Sequence, residues 1–118
     1  MLKSFIYIIL LSVFFNACSS VKKNERYYQE KLCSKLDGLM EYTLKDKTRV
    51  DCLSSEYAIE VDWAEKWAEG VGQSLYYAQM TNKKPAIALI VGSKDERYVR
   101  RLNTLAKKLD IKIFIVNK

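Results

Sequence analysis

Three acidic side chains lie close together in the middle of the chain, in the stretch RVDCLSSEYAIEVDW. Asp51 comes first, and Glu60 and Asp62 follow two residues apart. Two neighbouring carboxylates repel each other when both are ionised, and a bound divalent cation relieves that repulsion. Oxygen ligands with retained water suit magnesium. The pattern indicates a magnesium site; paired surface carboxylates on an edge hairpin are the alternative.

A second group of polar side chains follows on a predicted helix. At about 100° per residue, Lys66, Gln73 and Tyr77 lie within about 40° of one another on one flank of the apolar face. Gly70 lies on the same line and leaves room for another molecule to approach. Ordinary boundary residues of an amphipathic helix are the alternative interpretation.

The spacing of apolar residues predicts the elements that position these side chains. A capping box of Ser93 and Glu96 is expected to open the third helix, and the apolar run at 86–92 is expected to be a strand buried on both faces. The predicted elements are a helix at 26–40, strands on either side of a turn within 41–53, a strand at 57–63, a helix at 64–80, a strand at 86–92, a helix at about 94–109 and a strand at 111–117. The order α-β-β-β-α-β-α-β predicts an α/β fold, a mixed sheet flanked by helices.

Alternation along the strands predicts which acids meet. Glu60 and Asp62 share one face of their strand. Arg49, Asp51 and Leu53 are expected to share one face of the preceding strand. If the two strands pair across the short turn between them, Asp51 lies beside Glu60.

The amino-acid composition restricts the size of the fold and the catalytic chemistry that the chain can use. The 118 residues suffice for one domain, and 49% hydrophobic content indicates a folded globule. There is no histidine, which excludes histidine-based catalysis and histidine zinc sites. A net charge of +6 makes a polyanion or an anionic membrane a natural partner. An ordinary soluble basic surface is the alternative, and the charge by itself favours that alternative.

Taken in order, these motifs resemble the PD-(D/E)XK nuclease superfamily, which has the restriction-endonuclease-like fold. Asp51 matches the first acid, and Glu60-Val61-Asp62 matches the (D/E)-x-K tripeptide. The run from Gln73 to Tyr77 matches the Q-x-x-x-Y motif of the RecB-like branch. The resemblance covers 28–118.

The resemblance implies hydrolysis of phosphodiester bonds in nucleic acid, with DNA as the expected form. Asp51, Glu60 and the carbonyl of Val61 are then the ligands of Mg²⁺ or Mn²⁺. Gln73 and Tyr77 are expected to position the edge of the metal site or the nucleic-acid strand. The basic residues expected to contact phosphates are Arg49, Arg97, Arg100, Arg101, Lys107 and Lys108; for the helical ones a solvated outer face is the alternative. Glu41 is a candidate for the additional carboxylate that an upstream helix supplies in some members.

One position departs from the family pattern. Asp62 stands where the family has its catalytic lysine. Lys66, one turn along the next helix, is expected to act as a migrated lysine, with Asp62 helping to position metal or water. The alternatives are a catalytically inactive nuclease fold that binds nucleic acid or protein, and a structural lipoprotein whose resemblance is fortuitous.

The N-terminus resembles the signal peptide of bacterial lipoproteins. A lysine precedes an apolar run that is too short to span a bilayer, and Asn16-Ala17-Cys18 follows. The predicted organisation is a signal peptide at 1–17, a tether at 18–27 and a nuclease-like domain at 28–118. A lipid on Cys18 implies a cell-envelope location, and Ser19 indicates the outer membrane on its periplasmic side. An uncleaved anchor with a cytoplasmic domain is the alternative.

Two cysteines remain in the domain. In an exported protein Cys33 and Cys52 are able to pair, whereas in a cytoplasmic one they are expected to be buried thiols. The sequence does not choose between these states, and it does not specify an oligomeric state.

Overall fold

The computed structural model describes residues 22–118. The signal peptide and Cys18 lie outside these residues. The elements in chain order are α1 (Glu25–Lys35), β1 (Leu39–Thr43), β2 (Arg49–Leu53), β3 (Tyr57–Trp63), a 3₁₀ turn (Ala64–Lys66), α2 (Trp67–Thr81), β4 (Lys84–Val91), α3 (Glu96–Leu109) and β5 (Lys112–Asn117). The predicted element order is therefore confirmed.

One mixed sheet organises the domain, with the strands side by side in the order β1-β2-β3-β4-β5. The first three strands form an antiparallel meander, whereas β4 pairs parallel to β3 and β5 pairs parallel to β4. Helices α2 and α3 are the crossover connections that parallel neighbours require. The result is the mixed sheet flanked by helices that the sequence predicts.

Helices cover both faces of the sheet and bury one core on each side. Strand β4 contributes to both cores because its side chains alternate, and positions 86–90 are fully buried. This confirms that β4 is buried on both faces. The core under α1 comprises Tyr28, Cys33, Cys52, Ile59, Val61, Ala86, Ala88 and Ile90, and the core under α2 and α3 comprises Ala64, Val71, Ile87, Leu89, Leu102, Ala106 and Ile111.

Two predicted helix boundaries are wrong. Helix α1 ends at Lys35, not at residue 40, because the N–H of Gly38 bonds back to the Cys33 carbonyl and the chain then enters β1. The capping box is also absent from α3. Its N-cap is Asp95, whose carboxylate instead accepts a hydrogen bond of 2.7 Å from the Gly92 N–H.

A disulfide joins α1 to the sheet. Cys33 and Cys52 are bonded, with their Cα atoms 5.7 Å apart, and both are fully buried. Gly38 packs against the bridge so closely that an added Cβ would lie 2.5 Å from the Cys52 sulfur and 2.7 Å from the Cys33 sulfur. The packing at this point therefore requires glycine.

Candidate active site

Strand β3 places two carboxylates under helix α2. Glu60 and Asp62 are each only 6% exposed, and they alternate with Ile59 and Val61, which belong to the core under α1. An added Cβ on Gly70 of α2 would lie 3.7 Å from Asp62 Oδ2, so the helix passes directly over this carboxylate at its glycine. Glu60 and Asp62 thus share one face, as strand alternation predicts.

Asp51 lies at a break in the pairing of β2 with β3. The ladder runs through Leu53↔Ala58 and Cys52↔Ile59 and then stops. Continued by one residue, the register would place Asp51 opposite Glu60. At that point the Val61 N–H, which a continuing ladder would pair with a backbone carbonyl, donates instead to Asp51 Oδ2 at 2.8 Å.

At the same break the side chains of β2 change sides of the sheet. Val50 packs in a small cluster with Leu44, Ala58 and Tyr77, whereas Cys52 lies in the core under α1. Residues two apart in a regular strand point to the same side. The prediction that Arg49, Asp51 and Leu53 share one regular face is therefore wrong, because the alternation breaks at Asp51.

Gln29, a residue that the sequence analysis did not identify, donates hydrogen bonds to the backbone and side chain of residues at this break. Gln29 of α1 is 4% exposed, and its Nε2 donates to the Asp51 carbonyl at 2.8 Å and to Glu41 Oε1 at 3.0 Å. Glu41 has a left-handed backbone, with φ of 52°, in the middle of β1. The sequence signal for Gln29 was a polar residue four positions before Cys33, on the helix face that turns to the core.

Glu60 is a buried acid whose hydrogen-bonding partner, the Asp51 carboxyl, is itself an acid. Its Oε2 atom is buried and has no hydrogen-bond partner among residues 22–118. Burial, followed by the charges of Asp51 and Asp62, raises the pKa of Glu60 to about 9. Burial also raises the pKa of Asp51, although the Val61 N–H opposes that shift. At neutral pH the pair therefore holds a proton where two ionised carboxylates would repel each other.

Asp62 has a separate set of charged neighbours. Burial, followed by the charges of Glu25 and Glu69, raises the pKa of Asp62 to about 7, and the charge of Lys66 lowers it. Lys66 itself is exposed at the end of the 3₁₀ turn. Its charge also acts on Glu25 of α1, whose pKa is raised first by burial and then by Asp51. The charge of Lys66 therefore acts on two acids of the site, Asp62 and Glu25.

Glu25 is the second residue that the sequence analysis missed. It lies four positions before Gln29 and so on the same face of α1. The sequence analysis named Glu41 for the extra carboxylate, and the charge of Glu41 does act on Asp51. However, Glu41 lies on β1, and the acid that an upstream helix supplies near this site is Glu25.

The two residues of the Q-x-x-x-Y pattern have different environments. Tyr77 is 7% exposed and packs with Val50 and Ala58. Burial and then the charges of Glu60 and Asp51 raise the pKa of its hydroxyl, which places that group in the field of the acids. Gln73 is half-buried on the same helix. Tyr77 is thus a core residue whose polar end faces the site.

The predicted phosphate-contacting residues are exposed. Arg49 lies beside Glu41, with 3.8 Å between Nε and Oε2. The basic residues of α3 are also exposed, and Arg97 and Arg101 lie over the ring of Tyr98. Arg100 pairs with Glu96 four residues earlier. These positions suit either a solvated face or a phosphate-contacting surface.

The acids fit a partly hydrated ion better than a complete protein cage. Within the described range, 22–118, no group of three or more Asp, Glu, Cys or His side chains is arranged to hold a metal. Magnesium, however, is usually bound through one or two carboxylates together with waters and substrate phosphates. Asp51 and the unpartnered oxygen of Glu60 match that smaller requirement.

Comparison of the chain with protein-family models, with curated proteins and with solved structures finds no match. No helix within 22–118 is long and apolar enough to cross a membrane.

Proposed function

We propose that this chain is a metal-dependent nuclease with a restriction-endonuclease-like fold, hydrolysing phosphodiester bonds in nucleic acid, with DNA as the expected substrate. The observation that carries the proposal is Glu60. A buried acid with an unpartnered oxygen, placed against a second acid, costs stability unless something binds it. A divalent cation that displaces the proton held by the pair would supply positive charge and coordinate the unpartnered oxygen.

The fold supports this proposal through the placement of the acids. A helix, an antiparallel meander and a parallel fourth strand follow in the order that the PD-(D/E)XK superfamily has. Asp51 lies where the pairing of β2 with β3 breaks, and Glu60 lies on the next strand. The proximity of the two motif acids on a mixed sheet flanked by helices is what supports the proposal.

Different residues of the chain would bind the metal, stabilise the charge on the phosphate and orient the nucleic acid. Asp51, Glu60 and the Val61 carbonyl would hold Mg²⁺ or Mn²⁺; when bound, the ion supplies Lewis-acid activation of a phosphoryl oxygen and of a water. Lys66 stabilises the negative charge that develops on the phosphate. Gln73 and the Tyr77 hydroxyl orient the strand, and basic residues such as Arg49 contact phosphates along it.

An inactive nuclease fold that binds nucleic acid or protein is the second candidate function. Asp62 favours it, because a carboxylate stands where the family has its lysine. The buried Asp62 with a pKa near 7 cannot replace a cation, so activity depends on whether exposed Lys66 reaches the phosphate.

The test is a cleavage assay on the full-length chain in detergent, with plasmid, linear and single-stranded DNA and with RNA. We expect cleavage that requires Mg²⁺ or Mn²⁺, stops with EDTA and is lost in Asp51→Asn and Glu60→Gln. Glu65→Gln is the matched control, because Glu65 is an exposed acid in the adjacent turn.

A second set of variants tests whether Lys66 acts as the catalytic lysine. Lys66→Ala should be nearly inactive and Asp62→Ala less affected, with the exposed Lys45→Ala as control. Cleavage that survives both Asp51→Asn and Glu60→Gln would overturn the nuclease assignment. A folded wild-type protein that binds DNA and cleaves none would establish the binding module instead.

We also propose that the domain is tethered to a bacterial cell envelope through a lipid on Cys18, on the periplasmic side of the outer membrane. The Cys33–Cys52 disulfide supports an oxidising location, since such bonds persist mainly outside the cytosol. Metabolic labelling with a fatty-acid analogue tests this. Labelling that survives Cys18→Ser would refute the lipid assignment.

A further inference from the structure

Helix α1 reaches the carboxylates through residues spaced one turn apart. Glu25, Gln29 and Cys33 follow at intervals of four and so lie along one side of the helix. Glu25 acts electrostatically on Asp62, Gln29 bonds to the backbone of Asp51, and Cys33 is covalently bonded to Cys52. One face of α1 therefore touches the site and is also bonded to the residue next to Asp51.

Gln29 bonds to the backbone of β2 at the residue that the registers of both neighbouring strands skip. On the β1 side the ladder includes Met40↔Cys52 and Tyr42↔Val50 but omits the rung between them, at Asp51. On the β3 side it stops at Cys52↔Ile59. Both registers thus skip Asp51, and its carbonyl accepts a hydrogen bond of 2.8 Å from the Gln29 amide.

The disulfide is a covalent link that helps to fix the position of Gln29. Three residues of α1 are fully buried, namely Tyr28, Gln29 and Cys33, and Leu32 packs partly buried against the same core. The bridge anchors the helix one turn from Gln29 and one residue from Asp51. Gly38 packs against both sulfurs and leaves little freedom at the bridge.

From this geometry we infer that Gln29 is a positioning residue for Asp51, and that the Cys33–Cys52 disulfide makes metal binding at the carboxylates dependent on redox state. The inference rests on the proposed function and deepens it by naming a regulation of the same site. A dithiol reductant supplies two electrons and two protons; the S–S bond breaks to give thiols on Cys33 and Cys52, and the dithiol closes to its own disulfide. Once α1 is released, Gln29 no longer holds Asp51 in place.

The experiment measures the Kd for Mn²⁺ by electron paramagnetic resonance of the free ion, using the full-length chain in detergent. Four forms are compared: the oxidised protein, the protein reduced with dithiothreitol, oxidised Gln29→Ala, and reduced Gln29→Ala. Oxidised Gln79→Ala is the matched control, because Gln79 is an exposed glutamine on α2. Circular dichroism establishes that each form is folded at the temperature of the measurement.

We expect oxidised Gln29→Ala to bind Mn²⁺ about tenfold or more weakly than the oxidised parent, as loss of a partner behind a metal ligand does. Reduction should weaken the parent similarly but change Gln29→Ala by less than about threefold, because both perturbations remove the same support. If Gln29 and the disulfide supported the fold independently, the free-energy costs of the Gln29→Ala change and of reduction would simply add.

Three results decide the matter. Oxidised Gln29→Ala that binds Mn²⁺ as the parent does would overturn the inference, even if reduction unfolds the protein. A folded, reduced parent with unchanged Kd would overturn the redox dependence. An oxidised parent that binds no Mn²⁺ would remove the proposed metal site itself, so failure of the function is distinguished from failure of the inference.

Discussion

Glu60 makes the stability of the metal-free protein depend on pH in an unusual direction. Its folded pKa is about 9 against an ordinary value of 4.5. Between these values the unfolded side chain is ionised, whereas the folded one keeps its proton. The folded state therefore binds more protons than the unfolded state, and the free energy of unfolding falls as pH rises through this window.

The magnitude follows from the number of protons. One proton corresponds to about 1.4 kcal/mol per pH unit. The pKa of Asp62 is about 7, so Asp62 adds to the slope mainly below that pH. Above pH 7 the slope reports on Glu60, and from pH 7 to 8.5 we expect a loss of about 2 kcal/mol. In a domain of this size that lowers Tm by on the order of 10 °C.

The assay is urea unfolding of the oxidised protein in EDTA, at half-unit steps from pH 5 to pH 8.5. Glu60→Gln should be nearly flat above pH 7, because an amide takes the place of the protonated acid without titrating. Glu65→Gln, an exposed neighbour, should keep the parent slope. A parent that is equally stable at pH 7 and 8.5, or a Glu60→Gln protein with the parent slope, would refute the assignment of Glu60 as a buried, protonated acid.

Three further predictions concern stability. Gly38→Ala should destabilise the oxidised protein by about 1–3 kcal/mol, because the new methyl group collides with both sulfurs. Gly72→Ala, with open space around it, should instead stabilise helix α2 by about 0.5–1 kcal/mol. Equal urea midpoints for the two variants would contradict the packing described at Gly38. Reducing the Cys33–Cys52 bridge, which spans 19 residues, should lower the free energy of unfolding by about 3 kcal/mol, and loss of under 1 kcal/mol in the same titration would show that α1 holds its place without it. Mg²⁺ at 100 times its Kd should raise the free energy of unfolding at pH 8 by about 2.7 kcal/mol but leave Glu60→Gln unchanged; equal stabilisation of both proteins would place the ion elsewhere.

Much of the architecture could be predicted because it depends on local patterns. The order of helices and strands follows from the spacing of apolar residues, and strand alternation places Glu60 and Asp62 on one face. The boundaries were less predictable. The end of α1 depends on Gly38 packed beside the disulfide, a contact between segments that are distant along the chain. The start of α3 depends on which local hydrogen bond forms, since the Asp95 carboxylate accepts from the Gly92 N–H.

Some properties of the candidate site could likewise be predicted from the sequence, and others could not. The sequence by itself determined which acids are available, that no histidine assists them, and that Glu60 and Asp62 lie two residues apart on a strand. Those properties depend on residue type and on spacing along one element.

Only the tertiary structure decided how Asp51 meets Glu60. The break in β2, the amide of Gln29 that supports it and the disulfide beside it join segments that are distant along the chain. Whether a carboxylate is buried without a partner likewise depends on everything packed around it. The unpartnered oxygen of Glu60, which carries the functional proposal, is therefore a property of the fold rather than of its own segment of sequence.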